Sequence, residues 1–183
     1  MNRRLTTRRS AALIAVATAL TLLGAGAVSP AQATAPACSV TWGSGLKTAG
    51  TFAGGGQLTN VRAGQQDCYD RLVLDGATWA QVRYVDQVRA DGSGEVIPLR
   101  GGARLEIITS RADDPETGEP TYQPADPSEL VPVTGWQTFR QAAYGGSFEG
   151  MTTVGLGVRA RLPFRAFTLS GPPRVVIDVA HHW

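Results

Sequence analysis

The end of the chain carries two short apolar runs, RAFTL at residues 165–169 and RVVIDVA at residues 174–180. Between them lies SGPP, residues 170–173, and serine, glycine and proline are typical turn residues. From Val175 to Val179, β-branched apolar residues recur at every second position. Side chains two apart on a strand point to the same face of a sheet. The segment therefore predicts an antiparallel pair of strands whose second member buries one apolar row.

Working outward, the same alternation predicts six more short strands, at residues 58–62, 69–75, 81–88, 104–109, 137–144 and 152–160. The segment 137–144 is compatible with a strand or with one short helix. Glycine- and proline-containing turns recur at intervals of about 8–12 residues, and no segment has a sustained helical period. We predict an all-β antiparallel sandwich of about eight short strands.

The N-terminal residues have the features of a secretory signal peptide. Four arginines precede an apolar run at residues 11–23, which is short for a membrane span. Ala31-Gln32-Ala33 has the small-x-small pattern of a cleavage site, so we predict a signal peptide at residues 1–33. The alternative is an uncleaved anchor helix. Arg8-Arg9 leaves open whether export uses the general or the twin-arginine route.

The expected mature chain carries no excess of positive charge. Without the four N-terminal arginines, 13 of the 17 basic residues remain against 15 acidic ones, a net charge of −2. This balance gives no indication of a nucleic-acid partner. Beyond the leader, the sequence predicts no transmembrane segment, and we expect a secreted protein.

Cys38 and Cys68 are the two cysteines of the chain. An even cysteine count in an oxidising compartment predicts one disulfide, the alternatives being free thiols or an intermolecular bridge. Residues 43–56 are rich in glycine, serine, threonine and alanine. We therefore predict an irregular arm at residues 34–57, tied by the disulfide to a β-sandwich domain at residues 58–183.

Residues 111–128 interrupt the strand pattern with four prolines and a group of acidic residues: Asp113, Asp114, Glu116 and Glu119. This segment is too polar and too rich in proline for a strand or a helix, and we predict an exposed acidic loop within one domain.

Catalytic motifs are weak in this sequence. His181 and His182 are adjacent, and neighbours on a strand point to opposite faces, so we predict no metal site and no cofactor. The segment GGSFEG, residues 145–150, resembles a serine nucleophile motif, but Glu149 stands where the second glycine is required. A carboxylate pair formed by Glu149 and Asp178 is the remaining catalytic possibility. We predict that the protein is not an enzyme.

Aromatic and arginine side chains are interleaved between residues 136 and 167. Aromatic rings stack on the apolar faces of sugars, and arginine binds carboxylates. The predicted ligand-binding residues are Tyr144, Phe148, Glu149, Arg159, Arg161 and Arg165. Gly155 and Gly157 alternate on one strand face, which predicts a flat strip that a ligand could approach.

Two strand motifs carry a family resemblance. The sequences PFRAFTL, residues 163–169, and PPRVVIDV, residues 172–179, resemble the end of an AMIN domain, and DRLVLD, residues 70–75, resembles an earlier strand of that module. The mature chain is similar to the exported AMIN-like domain proteins of high-GC bacteria, and 16 arginines against one lysine agree with such a genome. The resemblance implies a β-sandwich that binds peptidoglycan or localises at the cell wall.

The functional expectation is a secreted, non-catalytic cell-envelope binding domain, with peptidoglycan or an envelope protein as its partner. A secreted protease inhibitor that uses residues 111–128 as a bait loop is the alternative. A wall hydrolase is the third and weakest hypothesis.

Overall fold

The computed structural model describes residues 38–52 and 55–183, and this part of the chain consists of strands and the turns between them. The strands in chain order are β1 (Lys47–Gly50), β2 (Asn60–Gln65), β3 (Tyr69–Asp75), β4 (Trp79–Val85), β5 (Val88–Arg89), β6 (Val96–Ile97), β7 (Ala103–Ser110), β8 (Phe139–Phe148), β9 (Met151–Val158), β10 (Phe164–Leu169) and β11 (Arg174–Ala180). The predicted signal peptide lies outside the described residues.

Two antiparallel sheets form the predicted sandwich. One has the strand order β1-β4-β7-β9-β8, and the other has the order β10-β11-β3-β2. The pair β10–β11 is the hairpin expected from the end of the sequence, with Phe164 opposite Val179 and Leu169 opposite Arg174. The short strands β5 and β6 pair only with each other among the described strands. The all-β sandwich prediction is confirmed.

The core lies between the two sheets and is built from the apolar rows that the alternation indicated. From the five-stranded sheet come Val82, Leu105, Ile107, Val154, Leu156 and Val158; from the four-stranded sheet come Leu72, Leu74, Val175, Ile177 and Val179. Each of these side chains is fully buried. Burial of a valine, leucine or isoleucine side chain contributes roughly 1.5–3 kcal/mol, so these rows provide most of the driving force for folding.

The predicted strands and the observed ones overlap in every case. Residues 137–144, left open as strand or helix, belong to β8. The prediction of an irregular segment at residues 43–56 is wrong at one point, because Lys47–Gly50 forms β1 and pairs with β4 at the sheet edge. In β1 only Ala49 is buried, so the strand has no apolar alternation to signal it. The two-residue strands β5 and β6 were also missed.

The predicted disulfide joins Cys38 to Cys68, with their Cα atoms 5.2 Å apart. Cys68 immediately precedes β3, and its carbonyl oxygen accepts a hydrogen bond of 2.9 Å from the amide of His181, just beyond β11. Trp42 packs edge-to-face on Tyr69, with ring centroids 5.7 Å apart. The bridge and the ring contact hold the start of the arm, at Cys38 and Trp42, against the four-stranded sheet.

Candidate functional site

The β8–β9 hairpin is the first element of the site. Its two turn residues, Glu149 and Gly150, have φ values of 49° and 82°. Positive φ at both positions of a two-residue loop is the pattern of a type I′ turn, which suits the twist of the flanking strands. One extra residue between Tyr144 and Ser147 in β8 forms a β-bulge. The hairpin tip thereby leaves Phe148 52% exposed.

The second element is the acidic loop, which packs beside this hairpin. The amide of Tyr144 donates a 2.7 Å hydrogen bond to the carbonyl oxygen of Pro127, and the Thr121 hydroxyl donates one of 2.8 Å to the carbonyl oxygen of Leu58. Residues 115–120 are exposed, as expected for this segment. The loop is therefore held against the body of the domain while its tip extends into solvent.

Between the loop and the hairpin lies an open cleft of about 980 Å³. Three aromatic side chains line it: Tyr122 from the loop, and Tyr144 and Phe148 from β8. The rings of Tyr122 and Tyr144 meet edge-to-face, with centroids 5.8 Å apart. In the described part of the chain, neither phenol hydroxyl forms a hydrogen bond. The cleft thus combines aromatic surface with unused donor groups.

The charged lining of the cleft is acidic. Arg111 Nη2 lies 2.7 Å from Asp113 Oδ2, and this hydrogen bond is the main reason that the pKa of Asp113 lies below its usual 3.8. Burial raises the pKa of both tyrosines above 10.0, and the negative charge of Asp113 raises that of Tyr144 further. Near neutral pH the cleft therefore presents an ion pair and two neutral phenols. The Glu149 side chain is exposed at the hairpin turn beside them.

Ser147 also lines the cleft, but its hydroxyl is occupied. Ser147 Oγ accepts hydrogen bonds from the amide of Ala112 at 3.1 Å and from the Thr152 hydroxyl at 3.2 Å, and it donates to the carbonyl oxygen of Met151 at 3.0 Å. These bonds join the loop to the hairpin. Among the described residues that line the cleft there is no histidine to act as a base.

The structure brings together only three of the six predicted ligand-binding residues. Tyr144, Phe148 and Glu149 line the cleft, whereas Arg159, Arg161 and Arg165 do not. β9 separates the two groups, and its eight residues span about 26 Å at roughly 3.3 Å per residue. Arg159 and Arg161 follow β9, at the opposite end of that strand from Phe148 and Glu149, and Arg165 lies on β10 of the other sheet, so the six residues do not form one surface.

Two of these arginines are engaged at the far end of β9. Arg159 donates a hydrogen bond from Nη2 to the carbonyl oxygen of His181. Arg161 donates to the side chain and the carbonyl oxygen of Ser44, and its guanidinium carbon lies 5.0 Å from the ring centre of Tyr84. These contacts connect β9 to the C-terminus and to the N-terminal arm.

Arg165 belongs to a separate cluster on the four-stranded sheet. Its Nε lies 2.8 Å from Asp178 Oδ2, and Arg71 Nε lies 2.7 Å from Asp178 Oδ1. The side chain of Asp178 is fully buried. The ring of Trp42 lies over Arg165, 4.4 Å from the guanidinium carbon. Both oxygens of Asp178 are thus occupied by arginines on neighbouring strands.

The expected glycine strip is not open to a ligand. Gly155 and Gly157 are both buried. A Cβ atom on Gly155 would lie 2.8 Å from Leu99 Cδ1, and one on Gly157 would lie 2.0 Å from the carbonyl oxygen of Arg100. The segment that follows β6 therefore lies directly on the outer face of β9. The glycines permit this close packing, and the prediction of a ligand strip is wrong.

Sequence analysis missed the loop side of the cleft. Tyr122, Arg111 and Asp113 lie in a segment without periodicity, which was predicted to be an exposed acidic loop or a bait loop and not part of a binding cleft. The one signal was a tyrosine inside an otherwise acidic, proline-rich loop. Its contact with Tyr144 is a tertiary one, which local patterns do not reveal.

Comparison with known proteins gives one positive finding. A family model described as AMIN-like domain matches residues 56–181, which is more than half of the chain. It covers β2 to β11, both walls of the cleft and the Asp178 cluster. No curated protein matches the chain.

A family match of this kind and the Cys38–Cys68 disulfide are features of an extracytoplasmic protein. Within residues 38–52 and 55–183, no helix has the length and apolar character needed to cross a membrane.

Proposed function

Because the chain belongs to the AMIN-like domain family, we propose that it is a secreted, wall-associated binding protein of the cell envelope that acts without catalysis. Its ligand in this proposal is peptidoglycan, bound in the cleft between the acidic loop and the β8–β9 hairpin. The observation that carries the proposal is the convergence of Tyr122, Tyr144 and Phe148 in that cleft.

The lining of the cleft suits a saccharide. The three aromatic rings provide surfaces on which the apolar faces of sugar rings can stack. The two phenol hydroxyls and the carboxylate of Glu149 provide hydrogen-bonding groups for sugar hydroxyls and acetamido groups. A mainly aromatic pocket with a few polar groups is a common form of ligand site.

The positions of the two candidate catalytic carboxylates, Glu149 and Asp178, support the proposal that the protein acts without catalysis. A glycosidase needs two carboxyl groups on either side of one bond, about 5–10 Å apart. Glu149 lies at the exposed hairpin turn, whereas Asp178 is buried between Arg71 and Arg165 on the other sheet. Asp178 is therefore occupied and does not face the cleft.

The inhibitor alternative has less support. A bait loop must extend its backbone into a protease. Here the ends of the loop are hydrogen-bonded to Leu58 and Tyr144, and Asp113 pairs with Pro120 across its base. Tyr122 is also packed against the body of the domain. The loop is better suited to form one wall of a cleft.

Sedimentation with purified cell-wall sacculi tests the proposal. The assay compares walls with and without their secondary polymers, at low and at moderate salt. We expect retention on the stripped walls, with weak salt dependence, because the cleft has no unpaired arginine among its described lining residues.

Phe148→Ala should reduce that retention by about tenfold, a loss of roughly 1.4 kcal/mol. Leu169→Ala is the matched control, since Leu169 is 39% exposed on the other sheet. Absence of wild-type retention on both preparations would contradict the proposed ligand and leave only the family assignment.

A further inference from the structure

Two smaller recesses continue the cleft onto the outer face of the five-stranded sheet. The first, of about 340 Å³, shares Arg111 and Gly150 with the cleft. The second, of about 440 Å³, shares Phe52 and Trp79 with the first. Shared lining residues mean that the three spaces adjoin one another. We refer to these three neighbouring spaces, which lie around the tip of the β8–β9 hairpin, as the groove.

Aromatic side chains are present along the whole groove. Phe52 and Trp79 meet edge-to-face, with centroids 4.9 Å apart, and both line the two recesses. Phe52 is 63% exposed, although it is a large apolar side chain. Tyr144 and Phe148 line the cleft at the other end. A ligand that lies along the groove therefore meets a ring surface in each of its three parts.

Polar groups accompany the rings. Gln81 and Asp91 line the second recess beside the apolar side chains of Ile108 and Met151, whereas the Ser110 hydroxyl of the first recess is buried and accepts a hydrogen bond from the amide of Thr78. A purely apolar groove would suit a lipid or an amphipathic helix. Alternation of ring surfaces with hydroxyl, amide and carboxylate groups suits a chain of sugars, which has apolar ring faces and polar edges.

The charges of the groove restrict the type of polymer. Among the described residues that line it, three carboxylates, those of Asp91, Asp113 and Glu149, face one guanidinium group, that of Arg111. Arg111 is already paired with Asp113. A phosphate-rich polyanion would be repelled, whereas a neutral glycan, or one with free amino groups, would not.

We infer that the groove binds a linear amino-sugar glycan over several consecutive sugar units, with the Phe52–Trp79 pair as a distal subsite. This inference rests on the proposed function, since the cleft at the Tyr144 end is the same site. It adds that affinity increases with the length of the glycan, and that contact with Phe52 provides the additional affinity for longer glycans.

The experiment is titration calorimetry of the mature chain with a disaccharide and a hexasaccharide of β-1,4-linked N-acetylglucosamine. We expect the hexasaccharide to bind at least tenfold more tightly than the disaccharide. Phe52→Ala should remove most of that advantage and leave disaccharide affinity unchanged, whereas Phe148→Ala should weaken both. Leu46→Ala is the control, because Leu46 is 57% exposed and lines none of the three spaces.

The alternative outcomes separate the two claims. If Phe52→Ala leaves hexasaccharide affinity unchanged while Phe148→Ala weakens it, the distal subsite is wrong and the cleft proposal stands. If stripped sacculi retain the wild type but neither oligosaccharide binds, the occupant is not the glycan strand and the inference is overturned. If neither sacculi nor oligosaccharides bind, the proposed function fails as well.

Discussion

His181 Nε2 lies 3.1 Å from Asp70 Oδ1, and both side chains are buried where β3 and β11 meet the start of β8. The other carboxylate oxygen, Asp70 Oδ2, accepts the amides of Thr138 and Phe139 at 2.8 Å each. One buried carboxylate thus links the four-stranded sheet to the first residue of β8. This link crosses from one sheet to the other at the end of the sandwich opposite the cleft.

Asp70→Ala should therefore destabilise the domain strongly. The substitution leaves two backbone amides and an imidazole without their buried acceptor, and each buried polar group left unsatisfied costs about 1–3 kcal/mol. The measurement is the free energy of unfolding in urea. Asp75→Ala, on the same strand but in an exposed pair with Arg62, should cost less than about 1 kcal/mol. Equal losses for the two variants would show that Asp70 has no special role.

Removal of the disulfide should lower stability by roughly 3–4 kcal/mol in the chain-entropy estimate for a 30-residue separation. The double variant Cys38→Ser, Cys68→Ser tests this by chemical denaturation. Reductant should shift the wild-type midpoint toward that of the variant and leave the variant itself unchanged. A wild-type midpoint insensitive to full reduction would contradict the expectation.

Gly157→Ala should destabilise the domain by about 1–3 kcal/mol. The new methyl group would lie 2.0 Å from the carbonyl oxygen of Arg100, so either β9 or the segment above it must move. Gly45→Ala provides the control, because no heavy atom lies within 4 Å of a Cβ at that position. Thermal unfolding of the two variants measures the difference in stability. Identical midpoints would mean that the segment around Arg100 moves to accommodate the methyl group without loss of stability.

The double substitution Arg159→Ala, Arg161→Ala should leave retention on stripped sacculi unchanged. Both side chains contact the ends of the chain and lie outside the cleft. The sedimentation assay used for Phe148→Ala measures the effect, with circular dichroism to verify folding. A folded double variant that no longer sediments with the sacculi would show that these arginines take part in binding.

Ligand binding should be constant between about pH 5 and pH 9. The pKa of Asp113 is lowered by Arg111, so its stabilising ion pair is present above the ordinary value of 3.8 and is lost only as the pH falls through the lower folded-state value. The pKa values of Tyr122 and Tyr144 are raised, so both phenols keep their protons throughout this range. Calorimetry with the hexasaccharide across the range checks this, and a change of tenfold or more would indicate that another titrating group takes part.

The sequence predicts the strands of this fold where one face is continuously apolar. β3 and β11 have the predicted bounds, 69–75 and 174–180, because buried apolar residues recur at every second position, at Leu72 and Leu74 in β3 and at Val175, Ile177 and Val179 in β11. β1 has the sequence KTAG with one buried residue, so only its pairing with β4 makes it a strand. That pairing depends on the assembled sheet and has no local signal.

The candidate site could be predicted less completely than the strands, again because the contacts that form it have no local sequence signal. Tyr144 and Phe148 were predicted because aromatic and arginine side chains are interleaved between residues 136 and 167, and Glu149 because it lies between Phe148 and a glycine turn. Tyr122 joins them through a loop whose position is fixed by distant contacts. Conversely, Arg165 is removed from the predicted site by its ion pair with Asp178. That pair follows from strand register, because the two residues lie opposite each other on β10 and β11 although they are 13 apart in sequence.

The disulfide at Cys68 and the hydrogen bond from His181 to the same residue have a consequence for how the domain can be displayed. They bring residue 38 and the C-terminal residues to one pole of the sandwich. The hairpin tip that lines the cleft lies at the other end of β9, a strand about 26 Å long. A tether attached beside Cys38 or His181, whether a fused module or an engineered surface anchor, would therefore leave the groove of the proposed function facing away from the support.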